Sequence, residues 1–150
     1  MTEYMSLTLQ LIPGEFAVCR LPATEPAATA IALATAVPPW AGSTVFSSVT
    51  RTADELSVIC PANQVPADVK HEAGWRLLKF AGPFAFTETG ILASVLAPLA
   101  AAKIGVLATA TFDTDYLLVK ANQLDTALHA LETAGHQVQP LPASQRPRST

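Results

Sequence analysis

The stretch from Phe84 to Lys120 constrains this chain more than any other, because it reads as strand, TETG turn, apolar helix, strand, TFDTD turn and strand in close succession. Ile91, Leu92, Val95, Leu96 and Leu99 form one continuous helical stripe, so the helix has a face to lay on a sheet. Pro98 opposes a straight helix, since its ring crowds the Ser94 carbonyl and it lacks an amide; a kink or break is expected there. Ile104 to Ala110 and Asp115 to Lys120 read as strands. A second amphipathic helix over Gln123 to Ala134 is apolar at Leu124, Leu128 and Leu131, with Gly135 as its C′ residue and an edge strand over His136 to Pro140. With a strand running from Trp75 to Gly82-Pro83, the order is β-α-β-β-α-β and the fold class α+β.

The N-terminal half is organised differently. Leu7 to Ile12 and Phe16 to Leu21 are short runs of β formers around Pro13-Gly14-Glu15, which predicts a hairpin. An Ala-rich segment between residues 26 and 38 favours a short helix. Ser43 to Thr50 reads as a strand that turns at Ala53-Asp54 into Glu55 to Cys60, and Pro61 to Gly74 as a connection with room for one helical turn. The expected division is a first unit over residues 1–72, a second over 73–140 and a flexible tail over 141–150.

Half of the 150 residues are hydrophobic and 14% are charged, which leaves enough apolar material for a packed core. Nine basic residues are scattered against twelve acidic ones, and Arg146 and Arg148 fall in the Pro-rich tail, so no basic footprint for nucleic acid or an anionic membrane exists. Acidic Glu3 and the lack of an apolar run before Pro13 argue against a secretory leader, and no uncharged apolar run reaches the roughly 18 residues of a membrane span. A cytoplasmic location is expected. Cys19 and Cys60 sit in strand-like runs without metal spacing and suit buried free thiols. His71, His129 and His136 lack ligand spacing; His129 and His136 are expected in solvent, and no metal or cofactor is called for. Trp40 and Trp75 read as core or interface anchors.

The two polar turns are where a small ligand would bind. Thr89 offers an N-cap oxygen to a helix starting at Gly90, whose unpaired amides suit a carboxylate, and Gly90 lets a ligand approach without a Cβ in the way. Asp113 and Asp115 offer acceptor-only groups to an ammonium or guanidinium, and Glu88 adds a third carboxylate. The plainer reading makes Thr89 a cap, Asp113 a turn builder and Glu88 a partner of the helix dipole. Asp113 and Asp115 face no group able to exchange a proton with them, so no catalytic residue is assigned.

The blocks PGEFAVCRL, SVTRTADELSVICP, GWRLLKFAGPFAF and TETGILASVLAPLAAAKIGVLATATFDTDYLLVK resemble, in this order, a bacterial ACT-domain family similar to aspartate kinase regulatory domains and to the CASTOR arginine sensors. The resemblance implies two ferredoxin-like ACT units in tandem, the first atypical, forming a regulatory module without chemistry of its own. It implies an amino acid, such as arginine or a related metabolite, held between the units. Contacts carried over are Glu88, Gly90, Ile91 and Leu92 on the first turn, Thr111, Phe112 and Asp115 on the second, and Ser48, Val49 and Thr50 from the first unit. Exposed sheet edges predict a homodimer. A protein-interaction module that binds no ligand is the alternative.

Overall fold

The computed structural model describes residues 5–23, 37–85 and 87–140. In place of the hairpin expected around Pro13-Gly14-Glu15 there is one long strand, β1 (Thr8–Pro22). Gly14 takes φ +93°, a left-handed conformation open to glycine, and the Pro-Gly pair bends the chain without reversing it. The two halves of β1 then find different partners. Thr8 to Leu11 pair in parallel with β7 (Gln137–Pro140), whereas Phe16 to Pro22 pair antiparallel with β3 (Glu55–Pro61). Strand β4 (Lys70–Phe80) also begins earlier than the expected Trp75 and passes through Gly74 at φ +84°.

Of the described residues, 5–14 and 75–140 form one compact unit, and 15–23 with 37–74 form the other. The expected division at residue 72 keeps 5–14 with the N-terminal unit; in the structure they pack with the C-terminal residues.

In the first of these units, the end of β4 leads to α1 (Ile91–Ala101), β5 (Val106–Ala110), β6 (Asp115–Lys120), α2 (Leu124–Thr133) and β7. This is the β-α-β-β-α-β order, and the fold is α+β. The sheet runs β7-β1-β4-β6-β5, so the first half of β1 stands as an additional strand between β7 and β4. Lys79 pairs with Tyr116 and Trp75 with Lys120, which brings the end of β4 beside the start of β6. Leu9, Leu78, Phe80, Leu117 and Val119 from the sheet pack against Ile91, Val95, Leu99, Leu124, Ala127 and Leu131 from the helices in one core. Each of these side chains except that of Ala127 contributes roughly 1.5–3 kcal/mol by leaving water.

Of the kink or break expected at Pro98, the break does not occur: helix α1 runs on through it. The carbonyl that Pro98 deprives of a helical partner is that of Ser94, four residues earlier. It accepts instead from His136 Nε2 at 2.9 Å. His136 is therefore not in solvent but buried, with 4% of its surface exposed. Its Nδ1 accepts from the Leu7 amide at 3.1 Å, so the ring hydrogen sits on Nε2 and points at Ser94. Both helices end in the same way. The amides of Lys103 and Ile104 bond back to Ala100 and Leu99, and those of Gly135 and His136 to Glu132 and Leu131, with Lys103 at φ 62° in the place Gly135 takes at φ 97°.

In the other unit, β2 (Ser48–Arg51) pairs with β3 as the expected hairpin, and the Thr52 hydroxyl organises the turn by accepting from the amides of Asp54 and Glu55. The strand is shorter than predicted. The Ser43 hydroxyl accepts from Val45 and Phe46, turning the chain there and sending Phe46 edge-on against Phe16. The expected helical turn is a single 3-10 turn at Ala62–Gln64. Cys19 and Cys60 are free and buried with Ala17, Ala41 and Val58; burial and the neighbouring Cys60 push the Cys19 thiol up to about 11. Such a thiol is unreactive at neutral pH. The expected helix in the Ala-rich segment 26–38 falls, except for Val37 and Pro38, outside the described residues, as does the tail over 141–150. Among the described residues no helix is long and apolar enough to cross a membrane.

Candidate ligand-binding cleft

The segment between β4 and α1 and the β5–β6 hairpin lie side by side because two hydrogen bonds hold them there. The Phe84 amide donates to the Asp113 carbonyl at 3.0 Å, and the buried Thr114 hydroxyl donates to the Phe80 carbonyl at 2.8 Å. Gly82 sits under this stitch: a Cβ there would come within 3.1 Å of the Phe84 amide and 3.2 Å of the Asp113 carbonyl oxygen. Within the hairpin, Thr111 closes the loop by donating its amide to the Thr114 carbonyl at 2.8 Å. Within the TETG turn, Glu88 accepts the Ala85 amide at 3.0 Å through Oε1 and returns its own amide to the Ala85 carbonyl at 2.9 Å. Glu88 is thus first a turn builder.

Between these turns lies a cleft of about 280 Å³. Its helical wall is Gly90, Ile91, Leu92 and Ala93, its hairpin wall runs from Ala110 to Asp115, and Phe84, Ala85 and Glu88 close one end. Gly90, at φ 81°, is the N-cap of α1, and no side chain caps the helix. Thr89 therefore does not cap, contrary to expectation, and it does not line the cleft. With no side-chain cap the first-turn amides lack a capping acceptor, and the partial positive charge of the helix start lies with them. Opposite stand Asp113 and Asp115. Among the described residues the lining carries three carboxylates and no Lys, Arg or His. Burial raises the pKa of the Tyr116 phenol, and the Asp113 charge raises it further. Phe112, 80% exposed, stands at the rim. Among the described residues no group of His, Cys, Asp and Glu is placed to hold a metal ion.

Residues 70–133 match the model of the ACT domain, and residues 14–68 match a second model described as an N-terminal domain. The solved structure of protein Atu0741 from Agrobacterium tumefaciens is 40% identical, with a TM-score of 0.80, over 92% of this chain and 96% of that one. The chain belongs to the Atu0741 family and carries an ACT domain. At lower identity the fold is shared with aspartate kinase from Clostridium acetobutylicum (10% identity, TM-score 0.61, 85% of this chain, 33% of that one). It is shared too with the regulatory subunit of aspartate kinase from Thermus thermophilus (14%, TM-score 0.50, 88% and 99%).

Of the residues singled out in the sequence, the ACT domain brings Glu88, Gly90, Ile91, Leu92, Thr111, Phe112, Asp113 and Asp115 to one cleft. Ser48, Val49 and Thr50 lie on β2, in the other unit. Phe84, Ala85, Ala93, Ala110 and Thr114 also line the cleft and were not anticipated. Thr114 stood in the TFDTD motif; its signal was a hydroxyl at a hairpin position otherwise given to charge.

Proposed function

We propose that this protein is a cytoplasmic regulatory module whose ACT domain holds a small amino acid, arginine or a related metabolite, in the cleft between α1 and the β5–β6 hairpin. It acts through occupancy and has no chemistry of its own. The observation that carries this reading is the uncapped start of α1 opening into a cleft walled by Asp113 and Asp115. A ligand carboxylate takes the amides of Ile91, Leu92 and Ala93 and the helix-start charge, while an ammonium or guanidinium takes the aspartates. The fold shared with the regulatory subunit of an aspartate kinase supports a regulatory role. We also infer a homodimer through the uncharged edge strand β5, expected to sediment at twice 15.7 kDa.

A thermal-shift screen of the common amino acids at millimolar concentration tests the reading. A ligand at a hundred times its Kd adds about 2.7 kcal/mol to stability. Asp115→Ala is expected to abolish the shift while leaving the unliganded melting temperature within a few degrees. A flat screen, or a shift that survives Asp115→Ala, overturns it. The competing reading, an interaction module without ligand, draws on Phe112 at the rim. It gains if the screen is flat and Phe112→Ser releases a bound protein partner.

A further inference from the structure

A second hollow opens on the opposite face of the ACT sheet. Side chains alternate along a strand. Leu78 and Phe80 of β4, with Leu117 and Val119 of β6, join the helix-covered core, so Lys79 and its cross-strand partner Tyr116 point to the other face. In β1, Leu9 belongs to that core and Leu7 and Leu11 pack against it, which turns Gln10 the same way as Lys79. Gln10, Lys79, Gly82, Pro83, Asp113 and Thr114 line a pocket of about 230 Å³.

The Thr114 hydroxyl is taken by the Phe80 carbonyl, but two other polar side chains of this pocket are not consumed by the fold. Lys79 and Gln10 are half-buried, and among the described residues neither side chain has a hydrogen-bond or ion-pair partner. Lys79 and Asp113 line the same hollow without forming an ion pair with each other. A lysine and an aspartate that line one small polar space without pairing match a ligand with both charges. Its carboxylate meets Lys79 and the Gln10 amide, its ammonium meets Asp113, and charge-assisted bonds at both ends are stronger than neutral ones. The volume lies below the roughly 300 Å³ at which drug-sized sites begin. The occupant is therefore small.

We propose that this pocket, which shares Asp113 and Thr114 with the cleft beside α1 but otherwise has its own lining, is a second binding site for a small zwitterion carrying a carboxylate and a primary ammonium. Gln10 comes from the strand inserted between β7 and β4, so a plain β-α-β-β-α-β unit lacks this half of the site.

The test is an amide-resolved NMR titration of the full chain with glycine, β-alanine and 4-aminobutyrate, which space the two charges progressively. Acetate and methylammonium are the single-charge controls. At least one zwitterion is expected to shift the amides of Gln10, Lys79, Ala81 and Gly82 saturably, with both controls at least about tenfold weaker, a difference of about 1.4 kcal/mol. Lys79→Met, which keeps the aliphatic stem, is expected to weaken binding by at least about tenfold. Lys79→Gln replaces it should the methionine variant fail to fold. Asp115→Ala, which removes a group lining only the cleft beside α1, leaves this binding intact, so the two sites fail separately. Absence of saturation by about 50 mM, a site weaker than about 2 kcal/mol, overturns the proposal. So does acetate binding as well as the zwitterions, wild-type affinity in both Lys79 variants, or shifts confined to Ile91, Leu92 and Ala93.

Discussion

Replacing His136 with alanine is expected to lower stability by about 3 kcal/mol, since it strands the Leu7 amide and the Ser94 carbonyl and leaves a small void. The loss has a specific dependence on residue 98. Ser94 needs His136 because Pro98 cannot donate, so Pro98→Ala, which restores an amide four residues on, is expected to make His136→Ala cheaper by about 1 kcal/mol. Urea unfolding of the wild type, both single variants and the double variant gives this coupling directly. Additive effects would show that the histidine does not stand in for the missing helical bond. Ser94 closes the first turn of α1 by donating its amide to Gly90, so His136→Ala should also speed hydrogen exchange at Ile91 to Ser94, at the wall of the cleft.

The second large effect is expected at Gly82. In Gly82→Val the Cβ approaches two backbone atoms, the Phe84 amide and the Asp113 carbonyl, which cannot rotate away as a side chain would. The hydrogen bond between them must stretch, and a branched residue adds bulk, so a loss of about 2–3 kcal/mol is expected. Gly42→Val is the control, because a Cβ at Gly42 meets nothing within 4 Å. Faster exchange of the Phe84 amide and a weaker amino-acid thermal shift should accompany the loss at Gly82. Equal stability of the two variants would mean that the stitch between the turns yields without cost.

The second half of the chain was legible because its signals are local. The stripe from Ile91 to Leu99 and the strand Asp115–Lys120 follow from periodicity, and the two polar turns between them came together as one cleft. What the sequence hid depends on distant partners. Pro13-Gly14 ordinarily marks a reversal, yet whether φ +93° at Gly14 reverses or bends a strand is decided by Gln137 to Pro140 and by Glu55 to Pro61. Pro98 predicted a kink or a break because nothing nearby shows that a histidine 42 residues from Ser94 would take the orphaned carbonyl. Thr89 looked like a cap by residue type, but the left-handed Gly90 holds that position, so the helix start is open.

The passage of β1 from one unit into the other has a consequence for how the protein comes into being. Residues 15–23 and 37–74 lie, in sequence, inside the ACT unit, whose sheet joins Thr8 to Gln137 and Leu11 to Pro140. A chain emerging from the ribosome offers the inserted unit all its strands early, while the first strand of the ACT unit waits for the last to be synthesised. Any C-terminal truncation reaching β7 would leave the Thr8 to Leu11 edge of β1 uncovered, a bare template for pairing between molecules. The candidate cleft, lined by residues within 84–115, would keep all of its lining residues in such a fragment while its sheet invited aggregation.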